Sequence, residues 1–235
     1  MAVLARVAGS GALHICNCEQ MGRELKSQYS AVKWTQSYNN VGVVDVELAS
    51  SDSGIDGLSI GHMSNLTEEK GLGRSIGAFR QARLEFPNLK LHVAGPCADD
   101  FAEQQVAAAA REFGDAFVYH GPVYKEAKVD FFNAIDVFVF PSLYAVETQG
   151  IVNLEALACG KPVVAFAQCC IAGDIGDMGG RAVPKSDDFS NSMIEYLRIF
   201  NDAPDLAAKR AKERFCEIRE THERERDELL APFAN

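Results

Sequence analysis

Short apolar runs and longer amphipathic stretches alternate along most of the chain, and this alternation predicts strands that are followed by helices. The apolar runs predict strands at residues 58–63, 89–94, 116–120, 137–140 and 162–166. The amphipathic stretches predict helices at residues 71–86, 100–113, 124–134, 150–158 and 189–200. Strands that alternate with helices of this length are typical of βαβ units. We therefore predict the α/β class, with a doubly wound, Rossmann-like parallel sheet whose ligands bind at the carboxyl ends of the strands.

A polar, glycine-rich segment at residues 50–57 predicts a domain boundary before this regular region. The pattern upstream predicts a strand at 12–16, a helix at 18–29 and strand-like runs at 32–35 and 43–46. Because so short a segment is too small for an independent core, we expect residues 1–57 to be the remnant of an N-terminal domain with its linker. Residues 58–203 are expected to form the main domain, and residues 204–235 a charged C-terminal helix.

Composition and charge exclude several classes of function. Hydrophobic residues make up 47% of the 235-residue chain, which is ample for a buried core. The formal net charge of −10 argues against nucleic acid or an anionic membrane surface as the main partner. The N-terminal run MAVLARVAGSGALHI is interrupted by Arg6, is too short to span a bilayer and makes a poor signal peptide.

The seven cysteines form no C-x2-C pair, and their odd number fits a reducing, cytoplasmic environment. Cys16 and Cys18 are close in sequence, and Cys169 is followed by Cys170, so both pairs are candidates for redox or metal chemistry. Cysteine commonly serves as a small buried hydrophobic residue, and we favour that role. We therefore expect a cytoplasmic protein without a metal site.

One stretch, residues 137–166, carries most of the candidate chemistry. It predicts a strand, a loop, a helix and a second strand, with Glu147 in the loop and Glu155 about one turn inside the helix. Gly150 lies between them and allows a ligand to approach the backbone closely. The first amides of a helix favour phosphate, and carboxylates accept hydrogen bonds from vicinal hydroxyls. Together these groups predict a site for a nucleotide sugar.

The motif in this stretch, PS-x4-E-x2-G-x4-EA-x-A-x-G-x-PVVA, resembles the signature of the retaining GT-B glycosyltransferases of the family 4 type. In those enzymes the first glutamate contacts the donor sugar and the second holds the ribose diol. The resemblance therefore assigns a catalytic, sugar-binding role to Glu147 and ribose binding to Glu155. One departure is Gln149, which stands where the signature usually has an aromatic residue. The diphosphate contacts fall on three backbone amides, those of Gly150, Ile151 and Val152.

Two glutamates near a helix start also have an interpretation unrelated to function, because acidic residues stabilise the first turn. The spacing between Glu147 and Glu155 would not by itself single them out. The PS, EA-x-A-x-G and PVVA pieces, in order around the two glutamates, favour the functional interpretation.

The loop between the strand at 58–63 and the following helix supplies the second candidate group. Lys70 offers a point charge suited to a diphosphate, and the resemblance assigns it the catalytic neutralisation of the leaving group. Asn65 stands where the family usually has an arginine, so we expect it to bind the donor without adding charge. The alternative is that Lys70 is a solvated lysine at a helix start. Nearby glycines at 71, 73 and 77 have the wrong spacing for a dinucleotide fingerprint.

Gly95 and Gly121 are further binding candidates. Each lies at the end of a predicted strand and precedes a proline. The resemblance places both beside the nucleobase of the donor. Ordinary turn formation is the alternative, since glycine and proline favour turns at such positions.

The resemblance implies that the chain is one half of a GT-B fold, the donor-binding half of a retaining hexosyltransferase that needs no metal or other cofactor. Its expected partners are a nucleotide-sugar donor and an unknown sugar, glycan or lipid-linked acceptor, with no nucleic acid. Membrane contact is expected only through the missing N-terminal domain. In such enzymes the C-terminal helix crosses back to the other domain. The charged run at 205–230 also fits a solvated helix with pairs of alternating sign.

Three functions stay open at this point. The first is an active glycosyltransferase of polysaccharide or glycoconjugate biosynthesis. The second is a nucleotide-sugar-binding module without transfer activity, because the acceptor domain and the arginine are missing. The third, a GT-B epimerase or phosphorylase, is less favoured, since PS-x4-E-x7-EA is most typical of the transferases.

Overall fold

The computed structural model describes residues 13–30, 32–36 and 57–231. Its strands are β1 (Leu13–Cys16), β2 (Lys33–Gln36), β3 (Ser59–Met63), β4 (Lys90–Ala94), β5 (Phe117–Tyr119), β6 (Val137–Phe140), β7 (Val163–Phe166) and β8 (Gly180–Val183). Its helices are α1 (Glu19–Gln28), α2 (Leu72–Ala82), α3 (Asp100–Phe113), α4 (Glu126–Asn133), α5 (Ile151–Ala158), α6 (Ile171–Ile175), α7 (Phe189–Asp202) and α8 (Pro204–Leu230). A short 3-10 helix, Gly114–Ala116, lies between α3 and β5.

Strands β3 to β8 form a parallel sheet in the order β5-β4-β3-β6-β7-β8, which confirms the predicted fold class. The chain enters the middle of the sheet at β3 and moves outward to β5. It then returns to β6 beside β3 and continues outward to β8. The connections that follow β3 and β6 therefore diverge, and a crevice opens between them at the carboxyl ends of the strands. Strands β1 and β2 pair in a separate parallel sheet.

Side chains along β6 show how the sheet is buried on both faces. Val137 and Val139 belong to one hydrophobic cluster, and Phe138 and Phe140 belong to another, because successive side chains of a strand point to opposite faces. Helices α2, α3 and α7 pack into the first cluster. Helices α4, α5, α6 and α8 pack into the second. The result is a three-layer arrangement whose central strands are apolar on both sides.

The five strands predicted between residues 58 and 166 are all present, each to within one residue at either end. The helix predicted at 71–86 ends earlier, at Ala82, because the chain continues in tighter turns in which the amide of Leu84 donates to the carbonyl of Gln81. The helix predicted at 124–134 begins at Glu126, after Lys125 with its φ of 49°. The predicted strand at 43–46 lies outside the described residues.

Helix α6 and strand β8 were not predicted. Helix α6 has only five residues, so it is too short to show a helical period. Strand β8 reads GRAV and is only partly apolar. Its place in the sheet is decided by parallel pairing with β7, from Val163 opposite Gly180 to Phe166 opposite Val183.

The charged C-terminal helix is not fully solvated, so that part of the prediction is wrong. Ala211, Phe215 and Ile218 are at most 5% exposed and pack on α5. Their spacing of four and three residues places them on one face of α8. The predicted pairs of alternating sign are present elsewhere on the helix, at Lys209–Glu213 and Arg214–Glu217.

A disulfide between Cys18 and Cys170 joins the segment before α1 to the start of α6. It corrects the expectation that these cysteines serve as small hydrophobic residues. The sulfur of Cys169 lies 3.8 Å from that of Cys170, so three sulfur atoms form one group. The helices in the described part of the chain are too short or too polar to cross a membrane.

Candidate functional site

A cavity of about 340 Å³ opens at the carboxyl ends of β3 and β6, where the sheet order reverses. We call it the switch-point cavity. A volume of this size is typical of small-molecule sites. Eight of the nine predicted binding residues line it, namely Asn65, Lys70, Gly95, Glu147, Gly150, Ile151, Val152 and Glu155. The ninth, Gly121, does not line the cavity. Its carbonyl accepts a hydrogen bond of 2.8 Å from the amide of Gly95 and so connects two strand ends.

Lys70 and Glu147 meet across the cavity although they are 77 residues apart. The Nζ of Lys70 donates to the Oε2 of Glu147 at 2.6 Å. It also lies 4.3 Å from the centre of the Tyr144 ring, where the aromatic face attracts a cation. The Ser142 hydroxyl donates to the same carboxylate oxygen at 3.3 Å. The two predicted catalytic side chains therefore form one charge-paired unit between the β3 and β6 loops.

Gly71 explains why the two loops come so close. It has a φ of 95°, which favours glycine, and it precedes α2. A Cβ at this position would lie 2.5 Å from the carbonyl oxygen of Pro141. The amide of Leu143 donates to the carbonyl of Glu69 at 2.9 Å and joins the loops directly. This contact holds Lys70 against the loop that carries Glu147.

Glu155 pairs with a lysine that the sequence analysis did not identify. The Nζ of Lys128, on α4, donates to both carboxylate oxygens of Glu155, at 2.7 and 2.9 Å. Both residues line the switch-point cavity. A signal for Lys128 was present in the sequence, because it precedes the buried Phe131 and Phe132 by three and four residues and so shares their face of α4.

The N-terminus of α5 points its first amides toward the cavity. Gly150 is the N-cap, with a φ of 62° and no side chain to accept from these amides. Ile151 and Val152 follow in the first turn, where backbone amides have no intrahelical acceptor. A Cβ at Gly150 would lie 2.7 Å from Nδ2 of Asn153 and 3.2 Å from the Phe140 ring. Glycine thus leaves the amides of this helix end accessible to a ligand and lets the backbone pack closely against Asn153 and Phe140.

Gln168 supports the loop that carries Glu147, and it too was missed. Its Nε2 donates to the carbonyl of Tyr144 at 2.5 Å and to that of Glu147 at 3.3 Å. Two residues further, the amide of Cys170 donates to the carbonyl of Thr148 at 2.9 Å. The segment beside the disulfide therefore fixes the backbone of the loop that carries Glu147.

Buried polar residues lie behind the α5 N-terminus. Gln149, Asn153 and Asp174 are at most 2% exposed. Burial raises the pKa of Asp174 to about 7, and the neighbouring Arg214 and Gln149 side chains oppose that shift. In the described part of the chain, neither the side-chain amide group of Gln149 nor the Asp174 carboxyl group has a hydrogen-bond partner.

His62, near the end of β3, contacts the start of the loop that contains Asn65. Its ring is fully buried, and burial lowers its pKa to about 4. One ring nitrogen lies 3.1 Å from the carbonyl of Val139, and the other lies 3.1 Å from the hydroxyl of Ser64. A neutral imidazole can donate with one nitrogen and accept with the other, so it joins β6 to this loop.

Known proteins that resemble this chain are glycosyltransferases. The alpha-monoglucosyldiacylglycerol synthase of Streptococcus pneumoniae is 30% identical over 159 residues, which are 66% of this chain and 34% of that protein. The D-inositol 3-phosphate glycosyltransferase of Streptomyces griseus is 33% identical over 129 residues, which are 50% of this chain and 25% of that protein. The chain thus spans about a third or less of the length of these relatives.

Solved structures show the same fold at low sequence identity. The pneumococcal O-GlcNAc transferase GtfA, solved with UDP and GlcNAc, has a TM-score of 0.72 at 18% identity, over 95% of this chain and 46% of that chain. Anabaena Alr3699/HepE, solved with UDP-glucose, has a TM-score of 0.72 at 19% identity, over 98% of this chain and 67% of that chain. The parallel sheet described above corresponds to one half of a GT-B fold.

The sequence profile of the family described as glycosyl transferases group 1 matches residues 50–213. The matched region contains all the residues that meet at the switch-point cavity. Since it covers more than half of the chain, the protein belongs to the glycosyl transferases group 1 family.

Proposed function

We propose that this chain supplies the donor-binding half of a retaining hexosyltransferase that uses a nucleotide-diphosphate sugar. The observation that supports the proposal most directly is the meeting of Lys70, Glu147, Glu155 and the α5 N-terminus at one cavity. A cation and free amides suit a diphosphate. Carboxylates suit the hydroxyls of a ribose and a sugar.

The arrangement suggests a division of roles. Lys70 and the amides of Gly150, Ile151 and Val152 would contact the diphosphate, where negative charge develops as the sugar leaves. Preorganised positive charge and amide dipoles stabilise such a leaving group without a metal ion. Glu155 would hold the ribose diol, and Glu147 would hold the transferred sugar.

A uridine nucleotide is the first donor to test. The two solved structures described above contain UDP or UDP-glucose. The names of the two relatives indicate different acceptors, a lipid in one and an inositol phosphate in the other. We therefore propose a sugar, glycan or lipid-linked hydroxyl as the acceptor class.

Calorimetric titration with UDP, GDP and ADP tests the donor site. We expect one of the three to bind, and Glu155→Ala to weaken it about tenfold or more, since a hydrogen bond to a charged group contributes roughly 1.5–3 kcal/mol. Glu220→Ala, which changes an exposed glutamate on α8, is the matched control. Equal affinity of the parent protein and Glu155→Ala would contradict the assignment.

The second candidate function is a binding module without transfer activity. Asn65 favours it, because an uncharged residue stands where the signature has an arginine. Release of UDP from UDP-sugars distinguishes the two candidates. If the protein is a transferase, we expect it to release UDP slowly even with water as the acceptor. We also expect the Asn65→Arg variant to release UDP faster than the parent protein. Binding without release in either protein favours the module.

A further inference from the structure

We propose that Lys128 is a positioning residue that neutralises Glu155, so that the same pocket accepts both a ribose diol and an anionic diphosphate. This inference rests on the proposed function, since it takes the ligand to be a nucleoside diphosphate. Nothing in the signature motif points to Lys128, which lies on a different helix and 27 residues away from its partner.

The contact is close and sheltered. The Nζ of Lys128 donates to both oxygens of Glu155, at 2.7 and 2.9 Å. The side chain of Glu155 is 10% exposed and that of Lys128 is 27% exposed. Salt screens an ion pair at this depth less than it screens a pair on the surface. Charge-assisted hydrogen bonds are also stronger than hydrogen bonds between neutral groups.

The net charge of the cavity lining depends on the Lys128–Glu155 pair. Among the described residues, the charged side chains that line the cavity are Lys70, Lys128, Glu147 and Glu155. Each carboxylate has a lysine partner: Glu147 lies 2.6 Å from Lys70, and Glu155 lies 2.7 Å from Lys128. The lining is therefore neutral. Without Lys128 it would carry a net negative charge, which repels a diphosphate most strongly where the dielectric constant is low.

Pairing with Lys128 still leaves Glu155 able to bind a diol. A carboxylate has about four acceptor positions, and the ammonium group takes one on each oxygen. One position on each oxygen is left for the ribose hydroxyls. Lys128 also restricts the rotation of the carboxylate, so that this pair of acceptors is oriented before the ligand arrives.

Ligands of different charge separate this role from a merely structural one. Titrations with uridine, UMP and UDP are compared for the parent protein, Lys128→Met and Lys128→Arg. We expect Lys128→Met to weaken the binding of UDP at least tenfold and the binding of uridine less than threefold. The effect on the binding of UMP should lie between these two. Lys128→Arg is expected to retain UDP binding. The double variant Lys128→Met/Glu155→Gln removes the stranded charge and is expected to bind UDP more tightly than Lys128→Met alone.

Lys125→Met is the matched control, because Lys125 is an exposed lysine next to the same helix and does not line the cavity. Circular dichroism of each variant verifies folding. Equal losses for uridine and UDP in Lys128→Met, or no loss for UDP, would overturn the role of Lys128 while leaving the proposed function intact. If the parent protein binds none of UDP, GDP and ADP, the proposed function fails and this inference fails with it. If the titrations select GDP or ADP, the series uses that nucleoside and its phosphates.

Discussion

Glu147 and Glu155 show how single residues acquire their chemistry from distant partners. The motif around them identified them as candidates, yet each carboxylate is held by a lysine from another segment, Glu147 by Lys70 and Glu155 by Lys128. Lys70 was predicted, because it belongs to a loop of the signature. Lys128 was not, because its partner lies on a different helix and the local sequence records only which face of α4 it occupies.

The buried carboxyl of Asp174 leads to a prediction at the same scale. Burial raises its pKa from 3.8 to about 7 in the folded protein, so between these values the folded protein holds a proton that the unfolded chain has released. The stabilisation from this group is present at low pH and is lost as the pH rises through about 7. We expect Asp174→Asn to remove this loss.

Urea unfolding of both proteins from about pH 4.5 to about pH 8 measures the effect. The difference in unfolding free energy should shift by a few kcal/mol in favour of Asp174→Asn as the pH rises. His62 and His92, whose pKa values burial lowers to about 4, change stability in the opposite direction with pH. They are present in both proteins and cancel in the difference. A difference that stays constant across the range would contradict the prediction.

At the scale of elements, the short helix α5 contributes both a binding end and a packed body. Leu154, Ala156 and Leu157 are fully buried, so the helix is fixed against the sheet and α8. Its N-terminus is left open by Gly150. The sequence predicted both ends of the helix to within one residue, because Gly150 precedes it and Gly160 follows it closely.

We expect Gly150→Ala to destabilise the protein by about 1–3 kcal/mol and to weaken nucleotide binding. The left-handed backbone at this position is costly for alanine, and the added Cβ would crowd Asn153 and Phe140. Urea unfolding and UDP titration measure the two effects. Gly77→Ala is the matched control, because a Cβ there meets no atom within 4 Å in a helix interior, and it is expected to stabilise by up to about 1 kcal/mol. Similar stability of the two variants would refute this account.

At the scale of the whole molecule, the disulfide between Cys18 and Cys170 joins parts of the chain that are 152 residues apart. A cross-link over so long a loop restricts the unfolded chain, and its removal costs about 2–5 kcal/mol. We expect a reducing agent to lower the urea midpoint of the parent protein. Cys18→Ser should show the lower midpoint with or without the reductant, whereas Cys216→Ser, at a cysteine outside the disulfide, should behave like the parent. A parent midpoint that is insensitive to reduction would show that the cross-link does not stabilise the fold.

The order of the strands decides where a ligand can bind. Since β3 and β6 are neighbours, the loops that follow them meet at one edge of the sheet. This adjacency brings the Asn65–Lys70 loop to the Glu147 loop. The sequence predicted that ligands bind at the carboxyl ends of the strands, but not which strands are neighbours. Of the two glycines expected beside the nucleobase, Gly95 lines the cavity and Gly121 does not, and both binding roles stay predictions.

The sequence alone predicted the α/β class, the strand, loop, helix and second strand at residues 137–166, and the candidate roles of Lys70, Glu147 and Glu155. These features depend on periodicity and on motif spacing, which are local properties of the chain. Four features emerged only from the folded structure, namely the Lys128–Glu155 pair, the support from Gln168, the place of β8 and the Cys18–Cys170 disulfide. Each of these joins residues that are far apart along the chain, so their contact depends on strand order and helix packing rather than on any local pattern.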